Sequence, residues 1–147
     1  MLLAAAALVI AACSSIPAYS HFITVDNGSG WRWADSVRFV VPLKQPGRYA
    51  LSLHLRTTNV YPYTQLSLLL RSRDKAHTFR HSDTVTFDIS DPQASSTRRG
   101  TSVHEYTASL PSITLDSAAT LIFSVAHNMT HDPLPGVSDV GITIEQL

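Results

Sequence analysis

Cysteine is almost missing from this chain: its 147 residues contain one, Cys13. An internal disulfide and a multi-cysteine zinc site are therefore both excluded. Glutamate is nearly as scarce, because nine of the eleven acidic residues are aspartate. Aspartate suits turns and glutamate suits helices, so the chain is expected to be rich in turns. Neither sign of charge is in excess, with 11 basic against 11 acidic residues and no run of like charges. That argues against nucleic acid, or an anionic membrane surface, as the main partner. No nucleophile elbow and no glycine-rich phosphate loop is present, and neither is an internal repeat or an interdomain linker. An enzyme is not expected, and no cofactor is implied. The length suits one domain with a core of its own.

The first stretch that carries information is MLLAAAALVIAAC, apolar from Leu2 to Ala12. Twelve residues of helix span about 18 Å, against roughly 30 Å of bilayer hydrocarbon, so this is not a spanning segment. It has the character of a signal-peptide apolar region. Its ending, Ile10-Ala11-Ala12-Cys13, looks like a bacterial lipobox: a branched residue, two small residues and the cysteine that receives lipid. No lysine or arginine precedes the apolar run, so the leader is expected to begin upstream of Met1. The organisation that follows is a signal peptide over 1–12, a lipidated Cys13 with a short tether over 13–20, and one folded domain over 21–147. Acyl chains on Cys13 would anchor the protein firmly, at about 0.8 kcal/mol per buried CH₂. The six-residue tether SSIPAY reaches at most about 20 Å and keeps the domain close to the bilayer.

Beyond the tether the pattern is one of alternation. RYALSLHLR sets Tyr49, Leu51, Leu53 and Leu55 on one face and Arg48, Ser52, His54 and Arg56 on the other. VRFVV, QLSLLL, TVTFDI, TLIFSV and VGITIE repeat that period of two. Turn residues separate them at Gln45-Pro46-Gly47, Asp91-Pro92 and Leu134-Pro135-Gly136. One wet face per strand and no sustained helical period predict an all-β fold, an antiparallel β-sandwich of Ig-like or jelly-roll-like form. The segment from Ser90 to Ser102 is expected to be the most mobile loop.

Seven histidines raise the question of a metal. His127 and His131 are four apart, as are His77 and His81, but both pairs sit beside strand or turn sequence and no third ligand follows by spacing. His127 and His131 stand only as weak metal candidates, with surface histidines the simpler account. Asp83 and Asp88 flank one strand and make no glycosidase pair without a cleft. The loop RTTNVYPYTQL offers more. Pro62 stiffens it, and Tyr61 and Tyr63 either present their rings to a partner or lie down and plug an end of the sandwich, with hydroxyls bonded to backbone.

Taken together, the lipobox at Cys13, WADSVRF, RTTNVYPYTQLSLLL, DTVTFDISD and HNMTHDPLPGVSDVGITIE resemble the gliding motility lipoprotein family GldH of Bacteroidota. The Tyr-Pro-Tyr stretch and the Leu-Pro-Gly-Val-x-Asp-Val-Gly-Ile ending are the specific parts. The resemblance implies an outer-membrane lipoprotein associated with gliding or type IX secretion machinery, without catalytic activity. Between Asp91 and Val103 the chain departs from that pattern: relatives carry a longer stretch rich in tryptophan and glycine, and here Arg98-Arg99-Gly100 remains. Ser14 and Ser15 follow the cysteine without an aspartate. By similarity to lipoprotein sorting signals this favours the outer membrane. The lack of an acidic run favours its periplasmic face.

Gly141 inside the last strand is unexpected, since glycine weakens strand interiors. A tyrosine of the 61–63 loop lying over it would restore the missing volume. Asp139, two residues before, would accept from the Pro-Gly turn or pair with Arg56. The expected partners are outer-membrane lipid, through acylated Cys13, and proteins of an envelope complex, without nucleic acid. The rival classes are a glycan- or peptide-binding module, which requires coplanar exposed tyrosines, and a metal-dependent hydrolase, which requires a third ligand.

Overall fold

The computed structural model describes residues 16–26, 28–76, 80–90 and 102–147. Among them run eight strands: β1 (Tyr19–Thr24), β2 (Val37–Leu43), β3 (Gly47–Thr58), β4 (Gln65–Asp74), β5 (Arg80–Asp88), β6 (Val103–Leu115), β7 (Ala119–His127) and β8 (Val137–Gln146). They form two four-stranded sheets, ordered β1-β8-β3-β6 and β2-β7-β4-β5. The antiparallel pairs β1·β8, β2·β7, β3·β6 and β4·β5 are successive stretches of one long ribbon, in which the first half of the chain pairs with the second. Pairing of β3 with β8 and of β4 with β7 rolls that ribbon into two layers. The architecture is an eight-stranded jelly-roll sandwich, which decides between the two forms of sandwich expected from sequence.

Alternation explains the layering. On β3 the inward residues Tyr49, Leu51, Leu53, Leu55 and Thr57 are buried. They meet Leu66, Leu68, Phe123 and Val125 of the other sheet in a single core cluster. Each fully buried leucine contributes about 1.5–3 kcal/mol relative to remaining exposed, so the strand interiors carry the fold. The two ends of the roll are stoppered differently. At one end lie the β2–β3 and β6–β7 connections, the start of β1 and the end of β8, and there the buried Tyr49 hydroxyl donates to the Gln45 carbonyl at 2.7 Å. At the other end Trp31, 1% exposed, makes an isolated bridge with Leu134 and donates from its indole to the Asp35 carbonyl at 2.9 Å.

Two strands were not legible by alternation. In β1 one outward residue, Phe22, is apolar, and an inward one, His21, is polar, so the period is masked. Because Tyr19 and Ser20 pair with Ile144 and Thr143, the first strand begins inside the stretch expected as tether. β6 contains Pro111, which forfeits a ladder donor and reads as a breaker. It is tolerated because β6 is an edge strand, and the β3–β6 register shifts between Tyr49 and Leu51, opposite that proline. The leader expected over 1–12, Cys13, His77, the turn expected at Asp91-Pro92 and nearly all of the loop expected over 90–102 lie outside the described residues.

Candidate functional site

The outer face of the β1-β8-β3-β6 sheet answers the question of Gly141. Register sets Gly141 directly opposite Phe22 of β1, and a Cβ on Gly141 would stand 2.6 Å from Cδ1 of the Phe22 ring. The ring that covers the bare backbone is therefore Phe22, not Tyr61 or Tyr63. Those tyrosines belong to the β3–β4 connection at the loop end of the roll, whereas Phe22 arrives from the neighbouring strand. Arg56 lies over the same ring, with Cζ 3.8 Å from its centroid, and its Nε donates to Glu105 Oε2 at 2.9 Å. Asp139 is the register partner of Arg56, yet its Oδ1 accepts from the Thr24 hydroxyl at 2.8 Å. Arg56 turns the other way, to the carboxylate on β6, so the expected Arg56–Asp139 pair and the Pro-Gly turn bond are replaced by these contacts.

Beside them His54 bonds Thr107 Oγ1 on β6 and Thr143 Oγ1 on β8, each at 2.9 Å. Two hydroxyl partners suit a neutral imidazole, with one nitrogen donating and the other accepting. Burial lowers the His54 pKa below the ordinary histidine value; Glu105 opposes that shift and Arg56 reinforces it.

The loop end holds both family-specific segments. Gly136 has φ 79°, as the third position of a Pro-Gly type II turn requires, and a Cβ there would collide with the backbone nitrogen of Tyr61. A tyrosine of this loop thus does press on a glycine, but on Gly136 and through its main chain. The Tyr61 hydroxyl donates to the Gln65 carbonyl at 2.7 Å, and burial, with Tyr63 adding, raises its pKa well above the ordinary phenol value. The Tyr61 and Tyr63 rings meet edge-to-face at 74° and 5.7 Å, both half-buried, with Pro62 exposed between them. They plug the end of the sandwich instead of forming a coplanar platform, which removes the geometry on which the glycan-binding alternative depended. The large apolar side chains that do face solvent here are Val60, 70% exposed, and Trp33, 63% exposed.

His127 is enclosed, its ring edge-on to Trp31 at 5.3 Å. Its Nε2 lies 3.2 Å from Asp132 Oδ1, which also accepts from the Trp33 backbone N–H at 2.9 Å. Desolvation acts against the ionised Asp132, but the bonds from Trp33 and His127 outweigh it and hold its carboxyl below the usual range. His131 stands near Tyr63, ring to ring at 6.1 Å. Among the described residues no group of three His, Cys, Asp or Glu converges as metal ligands. Asp83 and Asp88 project from opposite faces of β5, since Asp83 faces Leu70 and Asp88 faces Gln65 in register.

These contacts generate three predictions. Gly141→Ala will destabilise the fold by about 1–3 kcal/mol, as overpacking does. Combined with Phe22→Ala it will cost less than the sum, and a urea-unfolding double-mutant cycle measures the difference. Gly136→Ala, both clashing and strained, will cost about 2–4 kcal/mol in the same assay. For His54, the unfolded chain binds the proton more tightly than the fold does. Its stabilisation is complete above about pH 6.5 and is lost as pH falls through the lower folded value. In His54→Gln that limb of the stability–pH curve will flatten between neutral pH and the onset of carboxylate titration.

Comparison with known proteins places these features in a family. Residues 18–144 match the family model described as GldH lipoprotein. No curated protein matches the chain. Among solved structures, the non-crystalline-cellulose-specific carbohydrate-binding module CBM28 is similar at 8% identity and a TM-score of 0.41, over 86% of this chain and 70% of that one. Eiger TNF from S. frugiperda is similar at 9% identity and a TM-score of 0.31, over 87% of this chain and 91% of that one. Both are too distant to inform a ligand. The family match, by contrast, takes in every strand of the roll, from β1 to β8, and the chain belongs to the GldH lipoprotein family.

Proposed function

We propose that the protein is a non-catalytic assembly lipoprotein of the gliding or type IX secretion machinery, acylated at Cys13 and held at the periplasmic face of the outer membrane. The observation that carries this reading is the polarity of the roll. The chain enters β1 at Tyr19, paired with Ile144 near the C-terminus, whereas exposed Trp33 and Val60 and the Tyr61–Tyr63 loop sit at the opposite end. A domain tethered through its N-terminal end points that apolar loop end away from the bilayer, toward a protein partner. Exposed aromatic side chains on a rigid base are the usual anchors of such contacts. The base here is rigid because Trp31, His127 and Leu134 beneath it are buried and the Trp33 backbone is bonded to Asp132.

Two substitutions test the two halves of the proposal in crosslinked envelopes. Cys13→Ala will move the protein from the membrane to the soluble fraction, and mass spectrometry of the wild type will find acyl chains on residue 13. Trp33→Ser with Val60→Ser will leave the protein in the membrane and its melting temperature unchanged, while the proteins recovered with it are lost. An unmodified thiol at Cys13 contradicts the anchor, and unaltered recovery from the double variant contradicts the docking end.

A further inference from the structure

The outer face of the other sheet gathers charge that no sequence window displays. Arg38 on β2, Arg71 and Arg73 on β4 and Arg80 on β5 line one shallow groove of about 670 Å³, together with Ser82 and Ser124. Register explains the grouping. One cross-strand row reads Arg38, Ser124, Arg71, Ser82, and the next reads Val40, Ile122, Arg73, Arg80. Arg73 and Arg80 are direct cross-strand partners. Arg38, Arg71 and Arg80 are exposed, and no described carboxylate lies within ion-pair distance of any of the three. Asp88 is the acidic residue that the strands present on this face. It lies opposite Gln65, bonded to Ser90, three outward positions from Arg71 along the sheet. That is about 20 Å away, beyond a physiological screening length of about 8 Å. The opposite sheet face differs, its Arg56 being paired with Glu105.

We infer that this arginine face seats on the phosphate-bearing headgroups of an anionic membrane surface. Charge complementarity requires an anionic partner, and the chain outside the structure selects a lipid one. β1 begins at Tyr19, at the end of the roll where Arg73, Lys75 and Arg80 flank the β4–β5 connection, so a leader or anchor preceding Ile16 brings that end to the bilayer. Exposed Lys44 and Lys75 extend the basic surface there. The inference goes beyond the assembly role and does not require acylation of Cys13.

The test uses the full chain carrying Cys13→Ser, so that acyl chains do not mask the surface. It is co-sedimented with phosphatidylcholine vesicles and with vesicles containing phosphatidylglycerol. The ratio of the two affinities is the readout, because an apolar contribution from the leader cancels. The expected result is a preference for the anionic vesicles that fades with salt. Since each basic residue near such a surface strengthens binding about five-fold, Arg71→Gln with Arg80→Gln will lower the ratio by roughly 25-fold. That variant will keep the melting temperature of the parent, because Arg71 and Arg80 are exposed. The pair Arg32→Gln with Arg48→Gln, equal in charge but placed elsewhere, will leave the ratio nearly intact. Equal binding to both vesicles, or an equal loss in that control, would overturn the inference. So would arginine-dependent binding of a polyglutamate peptide without vesicle binding, which would assign the face to an acidic protein. Stabilisation by inorganic phosphate without vesicle binding would overturn it too.

Discussion

The seating of Phe22 across Gly141 holds the first and last strands together, and the rest of the arrangement depends on that junction. β1 is an edge strand of six residues, laddered to β8 and packed inward through Tyr19 and Ile23. On its outer face the Phe22 ring drops into the gap left by a missing side chain on β8 and is covered in turn by the Arg56 guanidinium, which is held by Glu105. Those contacts run across β8, β1, β3 and β6, the whole width of one sheet. A cation over an aromatic face contributes only about 0.5–1 kcal/mol where exposed. Its effect lies in where it acts, at the first strand of the fold.

Once β1 is fixed, direction follows. The ribbon that rolls into two sheets has its free ends side by side and its aromatic loops at the far end. The described domain therefore has two unlike poles, one where β1 begins and β8 ends and one that carries the aromatic loops. The stoppers at the poles differ in kind. Tyr49 closes the near pole with one hydroxyl-to-backbone bond, whereas Trp31, His127, Asp132 and the Tyr61–Tyr63 loop build a packed aromatic floor at the far one. A floor of that kind allows Trp33 and Val60 to remain exposed without loosening the core.

Much of this was legible in the sequence, for identifiable reasons. Strands with one wet face announce themselves by period, and six were found from Leu and Val alternation. β1 and β6 were hidden because Phe22 faces outward and because Pro111 is permitted only at an edge, a fact known after the sheet order is known. The strand glycine was correctly seen to need a ring, but the ring belongs to a residue 119 positions earlier, which only register can pair with it. The arginine face was invisible for a similar reason. A balanced total and the lack of charge runs describe the chain as a line, whereas three strands with like parity sum their charges on one surface. Cys13 lies outside the described residues, so its role rests on the lipobox-like run and the family.

Native-state hydrogen exchange of the β1 backbone tests the central claim most directly. If Phe22 on Gly141 fastens the N-terminal strand, the β1 amides that face β8 will exchange through global unfolding, with protection matching that of β3 amides facing β8. Exchange of those β1 amides at rates near those of a frayed terminus, while β3 remains protected, would contradict it.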